Sequence, residues 1–486
     1  MTYKLRPYQE ECVRSISDYI NSDRHDPVLI VGPVGCGKSL LIAEAARLMG
    51  DKTLILQPSK ELLQQNHDKI TSYGIPATIY SASCGKKELS NMIYATLGSI
   101  KKVVGQLKEM GIRNVLIDEA HAGYSPEDGS EFMTFMNELK PRKVIGFTAT
   151  PCRLKSMSIG QVSYSQLNFI TRMRPVYFKN LIHVIQVEEM IRQGFWTPLK
   201  YETWDFNGDA LKLNSNGSEY TAESISEAVR KNGLNNLILR RLMVLKDVCR
   251  SILVFMDSVE SCNTAAEWMN AKICAGIAEV VHGGTPKKQR EAIVERFKSG
   301  KTKVVFNYSA LGTGFDHPGL DCVIVGRPTF SFSSFYQWLG RAVRIKDGKD
   351  SALVVDCCNN SSRFGDIRKL SIENYKGYGW GMFIGDKLIT NIPMGDKVTK
   401  TDLDIKAAKK DRRRGLAQGV TAAPVPGRPD HPLGSTLMTF GKYCGWMLHS
   451  IPVSYFKFIN ETFDWDNDRN KDIKEYIDFL IKNNRL

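Results

Sequence analysis

Gly32-Pro-Val-Gly-Cys-Gly-Lys-Ser39 directly follows the apolar run Val28-Leu-Ile-Val31 and directly precedes a helical pattern over residues 40–49. The octapeptide fits the spacing GxxxxGK[ST]. Its chemistry is that of a phosphate cradle: Gly32, Gly35 and Gly37 let backbone N–H groups turn towards an anion, and the helix start adds positive potential. Lys38 then reaches the β and γ phosphates of a nucleotide, and Ser39 ligates Mg²⁺. A Gly-rich turn alone would say little; a buried strand before it and a helix after it are the context that the motif requires.

Working outward, the same rhythm of short apolar run and amphipathic stretch repeats. Thr53-Leu-Ile-Leu56, Val115-Leu-Ile117 and Val144-Ile-Gly-Phe147 continue it in the first half, and Ile252-Leu-Val-Phe255, Val304-Val-Phe306, Val323-Ile-Val325 and Leu353-Val-Val355 in the second. Runs of this length suit strands buried on both faces of a parallel sheet, with helices between them. The fold class is therefore α/β, with the pattern occurring twice. The polar interval holding Trp204-Asp-Phe-Asn-Gly-Asp209 and Asn214-Ser-Asn-Gly-Ser218 sets the expected boundary near 215, giving lobes over 1–214 and 215–373. Residues 374–430 read as an aromatic and basic extension, from Tyr375-Lys-Gly-Tyr-Gly-Trp-Gly-Met-Phe383 to the stiff, Pro-rich linker Ala422-Ala-Pro-Val-Pro-Gly-Arg-Pro-Asp-His-Pro432. Residues 431–486 are expected as a separate small α+β or helical domain.

Composition bounds the partners. The 486 residues are 42% hydrophobic and 24% charged, values of a folded multidomain protein rather than a disordered or fibrous chain. Lys plus Arg number 66 against 52 Asp plus Glu, a net charge of +14 that favours a polyanionic partner such as nucleic acid. No apolar run is long enough to span a bilayer and the N-terminus has no signal-peptide core, so the expectation is a cytoplasmic protein of a bacterium or a phage-infected host, with no membrane partner. The 11 cysteines are scattered, and the adjacent Cys357-Cys358 lacks the two-residue gap that lets two thiolates grip one zinc. No zinc site is expected; metal chemistry enters with a nucleotide.

Val115-Leu-Ile-Asp-Glu-Ala-His121 ends a buried strand with two carboxylates, which is costly unless a cation sits beside them. Asp118 is the candidate Mg²⁺ partner, and Glu119 stands where it would orient or deprotonate an attacking water. Arg341 and Arg344, three apart, would project from one face of a helix. From a second lobe their guanidinium groups would reach a γ-phosphate held by the first.

The order of these segments resembles that of the superfamily 2 helicases of the DEAH-box type. Leu5-Arg-Pro-Tyr-Gln9 is similar to the segment by which such enzymes recognise adenine, with Gln9 reading the base. Residues 32–39 and Asp118-Glu-Ala-His121 resemble motifs I and II, Gln57-Pro-Ser-Lys-Glu-Leu62 motif Ia, and Phe147-Thr-Ala-Thr-Pro151 motif III. In the second half Asn307-Tyr-Ser-Ala-Leu-Gly-Thr-Gly-Phe-Asp316 resembles motif V, and Gln337-Trp-Leu-Gly-Arg-Ala-Val-Arg344 matches motif VI in full. The resemblance runs from residue 3 to residue 357 and implies two RecA-like lobes with ATP and Mg²⁺ in the cleft between them. It implies Lys38, Asp118, Glu119, His121, Gln337, Arg341 and Arg344 as catalytic residues. Gly314 and Asp316 would also lie at the nucleotide, linking its state to the nucleic acid, and His121 would report the γ-phosphate to motifs III and VI. Within the superfamily the wording is most like that of RadD-like repair helicases and, more distantly, phage branch-migration helicases of the UvsW kind. The cysteine-rich module that follows the motor in RadD-like proteins has no counterpart here.

A motor must pass over any sequence, so contacts to nucleic acid are expected at phosphate and sugar, with Ser59, Lys60, Thr96, Ser309 and Thr313 as candidates. Tyr375, Tyr378, Trp380 and Phe383 would stack on unpaired bases or form a hairpin packed on the second lobe. The charged run over 397–414 would dock on phosphates or form a solvated helix. The segment Met438 to Phe458, with Phe440-Gly-Lys-Tyr-Cys-Gly445 and Pro452-Val-Ser-Tyr455, resembles a small module found at the ends of some bacterial and phage exonucleases and in small phage proteins. The resulting expectation is an ATP-dependent DNA helicase or translocase that unwinds or branch-migrates single-stranded, forked or junction DNA in replication, recombination or repair, with a nuclease or replisome protein as a further partner. Two alternatives stay open: an RNA helicase, and an ATP-switched binding module acting with such a partner.

Overall fold

The computed structural model describes residues 4–50, 52–159, 162–311, 315–407, 431–439, 443, 445–462, 465 and 470–483. The chain divides into one unit of residues 1–375 with 379–398 and a second of 376–378 with 399–486.

The larger unit holds two sheets. Its first lobe contains β1 (Val28–Val31), β2 (Thr53–Leu56), β3 (Thr78–Ser81), β4 (Lys86–Lys87), β5 (Met92–Ala95), β6 (Asn114–Ile117) and β7 (Lys143–Thr148). An antiparallel hairpin, β8 (Cys152–Ile159) and β9 (Val162–Phe169), precedes β10 (Asn180–Val184). The sheet order is β10-β1-β7-β6-β2-β5-β3-β4, parallel except at the β3–β4 edge. Every residue of β1, β2, β5 and β7 is buried, as strands covered on both faces require.

Three helices set the site. α1 (Pro7–Asn21) begins with proline, whose fixed φ suits a first turn, and its far end is tied down by a lysine from β7. Lys143 Nζ donates to the carbonyls of Tyr19 (2.8 Å) in the last turn and of Ser22 (2.7 Å) and Arg24 (2.6 Å) just beyond it. α2 (Lys38–Met49) follows Gly37, and α3 (Lys60–Ser72) is capped by Ser59 Oγ, which accepts from Leu62 N.

The second lobe is a sheet of β11 (Leu199–Thr203), β12 (Ile252–Phe255), β13 (Ala278–His282), β14 (Val304–Tyr308), β15 (Cys322–Val325) and β16 (Ala352–Asp356). All are parallel, in the order β11-β16-β15-β12-β14-β13. This moves the lobe boundary. β11 already pairs with β16, so the chain has crossed into the second lobe before Leu199, upstream of the expected 215. The polar interval that suggested 215 is an excursion inside the second lobe, closed by a bridge between Leu213 and Tyr220.

The expected extension from 374 also starts inside structure. β17 (Leu370–Tyr375), β18 (Gly379–Ile384) and β19 (Lys387–Leu388) form an antiparallel meander in which Met382 and Phe383 are buried and Trp380 packs on the core. Of the four aromatics, Trp380 and Phe383 thus follow the packed-hairpin alternative. One hydrophobic cluster spans both lobes, joining Ile30, Leu116 and Phe147 to Phe255, Val325, Leu339 and Val343. The opposite face of the second sheet has its own core, around Ile238, Leu242, Val254, Phe306 and Ile324.

The smaller unit is mainly helical where described. Helices Val453–Thr462 and Lys471–Lys482 bury Phe456, Ile459, Ile473, Ile477 and Leu480 with Met438, Leu448 and Ile451. Residues 408–430, which hold part of the charged run and most of the Pro-rich linker, lie outside the described residues. Among the described residues no helix is long and apolar enough to cross a membrane.

Candidate functional site

A cleft of about 740 Å³ opens between the lobes, within the size range of small-molecule sites. Gly35, Gly37, Lys38, Ser39 and Glu119 line it from the first lobe, and Asp316, Gln337, Gly340, Arg341 and Arg344 from the second. Gly35 and Gly37 have φ of +84° and +81°, the left-handed region that favours glycine. A Cβ at Gly37 would also stand 2.5 Å from Gln9 Nε2.

Lys38 Nζ is bonded to Glu119 Oε1 and lies 3.4 Å from Asp118 Oδ1. Burial lowers the Lys38 pKa, but the charges of Glu119 and Asp118 outweigh it and hold the ammonium above its ordinary value. Asp118 is 2% exposed, and its burial raises its pKa. Its Oδ1 accepts from Glu119 N (2.9 Å), and its Oδ2 accepts from Asn66 Nδ2 (3.0 Å). Asn66 also donates to Gln57 Oε1 (3.1 Å), so the carboxylate plane is set by a two-link chain that starts in the motif Ia segment. Glu119 stands at φ +47°, and its buried Oε2 makes no hydrogen bond.

His121 bridges three segments. Its Nδ1 meets Thr148 Oγ1 at 2.8 Å and lies 3.3 Å from Glu119 Oε2, while its Nε2 meets Ser333 Oγ of the second lobe at 3.3 Å. Thr150 Oγ1 reaches the same Ser333 hydroxyl at 3.2 Å. Burial pushes the His121 pKa down to about 3, so the ring is neutral at any ordinary pH.

The two arginines reach the cleft by a different route from the expected helical face. The helix Phe332–Leu339 ends before them, and both lie in the turn and extended segment beyond Gly340. A Cβ on Gly340 would stand 2.5 Å from Val34 Cγ2, so the phosphate loop presses on the backbone where the helix stops. Arg341 Nη1 donates to Phe315 O (2.7 Å), and Arg344 Nη1 donates to Asp316 Oδ1 and to Phe315 O (3.3 Å). Burial pushes the Arg341 pKa down to about 9. Lys349 Nζ fixes the segment by donating to the carbonyls of Ala342 (2.6 Å) and Arg344 (2.8 Å).

Gln9 does not face the cleft. Its Nε2 donates to Cys36 O (2.9 Å) and its Oε1 accepts from Arg6 N (3.0 Å), so the amide braces the phosphate loop against α1. Arg6, stacked 4.6 Å over the Phe195 ring, lines the cleft with that ring. Gly32 is buried behind the loop, where a Cβ would meet Cys36 Sγ at 2.7 Å. Of the nucleic-acid candidates, Ser59 and Lys60 open α3, Thr96 precedes a short helix, and Ser309 is exposed at φ +54°. Gly314 and Thr313 lie outside the described residues.

Sequence reasoning missed Asn66, Ser333, Trp196 and Thr197. Trp196 Nε1 donates to Val34 O (2.7 Å) and Thr197 Oγ1 to Arg344 O (2.8 Å), so adjacent residues of the lobe crossing hold one loop from each lobe. Asn66 had a signal: it is the polar member of the inward stripe Leu63, Asn66, Ile70. The others carry none in their spacing. The donor set fits a metal-bound nucleoside triphosphate, with glycine N–H groups and an ammonium for the phosphates, a hydroxyl and a buried carboxylate for a divalent ion, and a carboxylate oxygen still to be satisfied.

Residues 2–153 match the family described as type III restriction enzyme, res subunit, and residues 235–346 the helicase conserved C-terminal domain. This chain belongs to the superfamily 2 helicases. A 51.5 kDa protein of a Lactococcus phage (isolate 7-9) is 25% identical to this helicase over 332 residues, 68% of this chain and 65% of its own. The DNA 3'-5' translocase XPB2 of Sulfurisphaera tokodaii is 24% identical over 381 residues, 72% of this chain and 81% of its own. The structure of the ATP-dependent Type ISP restriction-modification enzyme LlaBIII bound to DNA aligns at TM-score 0.53 and 15% identity, over 86% of this chain and 30% of its own, a likeness of fold. The helicase spans less than two thirds of the length of the phage protein and of two yeast proteins that it matches.

Proposed function

We propose that the protein hydrolyses ATP with Mg²⁺ and couples the cycle to movement along DNA, unwinding or branch-migrating forked or junction DNA in the cytoplasm. The observation that carries this reading is the cleft that brings Lys38, Asp118 and Glu119 of one lobe against Arg341 and Arg344 of the other. Bound Mg²⁺ would neutralise phosphate charge, held by Ser39 and Asp118. Lys38 exchanges its carboxylate partners for the β and γ phosphates, which releases Glu119 to accept a proton from water. Arg341 and Arg344 stabilise charge on the γ-phosphoryl oxygens, and Gln337, beside them, orients the water or the phosphate. The neutral His121 passes displacement at Glu119 to Thr148 and, through Ser333, to the second lobe. Lobe closure and release then change the spacing between two strand-gripping surfaces, which is a stepping motion.

DNA as the track is supported by the basic charge and by the names of the DNA translocase and DNA-bound relatives. A repair or recombination role, and a nuclease or replisome partner, belong to the same reading. The test is steady-state ATPase at fixed salt without nucleic acid and then with single-stranded DNA, duplex, fork, four-way junction and RNA. Strongest stimulation by fork or junction is expected, and Lys38→Ala should reduce the rate to background. Flat rates across the panel, or normal turnover in Lys38→Ala, would overturn the reading.

A further inference from the structure

β15, β12 and β14 lie side by side in the second sheet, and the carboxyl ends of such strands are where open α/β sheets bind ligands. Arg327 follows β15 by two residues at this edge. Its guanidinium carbon lies 5.8 Å from the ring centroid of Tyr308, at the end of β14, and 5.8 Å from that of Trp338, beside Gln337. The side chain is half-buried, and its buried Nε makes no hydrogen bond. Among the described residues no carboxylate pairs with it. Asp257, two residues past the intervening β12, directs its Oδ2 to Ser226 Oγ (3.2 Å) instead. The backbone beneath is pinned, since Asn360 Nδ2 donates to Arg327 O (3.3 Å) and Asn360 Oδ1 accepts from Thr329 N (3.0 Å).

An arginine held by two aromatic rings and left without an anion has lost part of its hydration with no charge to replace it. Its planar fork suits phosphate. Arg327 does not line the nucleotide cleft, and it shares its edge with the exposed Ser309, which follows Tyr308 directly. We propose that Arg327 is a contact of the second lobe to a backbone phosphate of the nucleic-acid strand, oriented by Tyr308 and Trp338. The proposal rests on the motor reading above. Because Trp338 neighbours Gln337, the grip on the strand and the nucleotide cleft share one helix.

The test is fluorescence anisotropy of the full chain with labelled oligo-dT and a mixed-sequence single strand, over a range of salt. Arg327→Gln should bind both strands more weakly by the same factor, and the slope of log affinity against log salt should become shallower by about 0.7, the value for one phosphate contact on a single strand. Arg327→Lys should keep the wild-type slope with intermediate affinity, because charge is retained and stacking lost. Thermal melting of both variants checks folding, and if Arg327→Gln fails to fold, Arg327→Lys carries the test. Wild-type affinity and slope in Arg327→Gln, or wild-type affinity in Arg327→Lys, would overturn the assignment while leaving the motor intact. A wild-type chain that shows no salt-dependent binding at all would overturn the motor reading with it.

Discussion

Asn66 orients the carboxylate proposed to hold Mg²⁺ without being one of the proposed ligands. Its amide holds one oxygen of Asp118 while Glu119 N holds the other, so the carboxylate cannot rotate without breaking a buried bond. Partners of this kind typically change metal affinity by about 10- to 100-fold when removed. Asn66→Ala should therefore raise the Mg²⁺ concentration needed for nucleotide binding by about 10-fold, read by titrating Mg²⁺ against a fluorescent ATP analogue. Asn66→Asp should be worse, because a second carboxylate then faces Asp118. If both bind with wild-type Mg²⁺ dependence, Asn66 only packs. At this scale the sequence was legible where chemistry is written in consecutive residues: Lys38, Ser39, Asp118, Glu119 and His121 all stand at or against the cleft. It was not legible for Gln9 and Asn66, whose roles depend on which atoms the fold brings within 3 Å.

Elements were readable when their burial was local. The apolar runs at β1, β2, β7, β12 and β15 are strands because burial on both faces leaves no alternative to apolar side chains. β11 escapes the pattern because it is an edge strand of mixed exposure whose paired strand β16 lies 153 residues further along the chain, Leu199 opposite Ala352. The helix expected to carry the arginines stops at Leu339, where Gly340 lies against Val34 of the phosphate loop. That contact is testable. Gly340→Ala should force the phosphate loop and the arginine segment apart, lowering kcat more than it lowers nucleotide affinity. Val34→Gly, which removes the opposing Cβ along with its methyl groups, should restore part of the loss in the double variant, and a strictly additive double variant would show that the two do not touch during turnover.

At the scale of the molecule, two histidines that the fold holds neutral should contribute to the acid limit of stability. Burial pushes His121 down to about 3, and burial with the neighbouring charges of Lys346 and Lys298 pushes His317 down to about 4. The unfolded chain takes these protons near 6.5. Both groups are neutral in the fold, so their contribution is fully present above 6.5 and is lost as the pH falls towards 4 and then 3. The urea midpoint should drop between pH 6.5 and 5, before most carboxylates titrate, and His317→Asn should flatten that part of the curve. An unchanged curve would show that other groups set the limit.

The apolar cluster that joins the first sheet to one face of the second has a thermodynamic consequence for the motor itself. Any step that parts the lobes there wets hydrocarbon, and wetting hydrocarbon raises heat capacity. Nucleotide binding that draws the lobes together should accordingly show a negative heat-capacity change, larger than a polar phosphate pocket alone would give. The driving force for closure would then fade on cooling, so the temperature at which the motor works best is written partly into the grease between its halves.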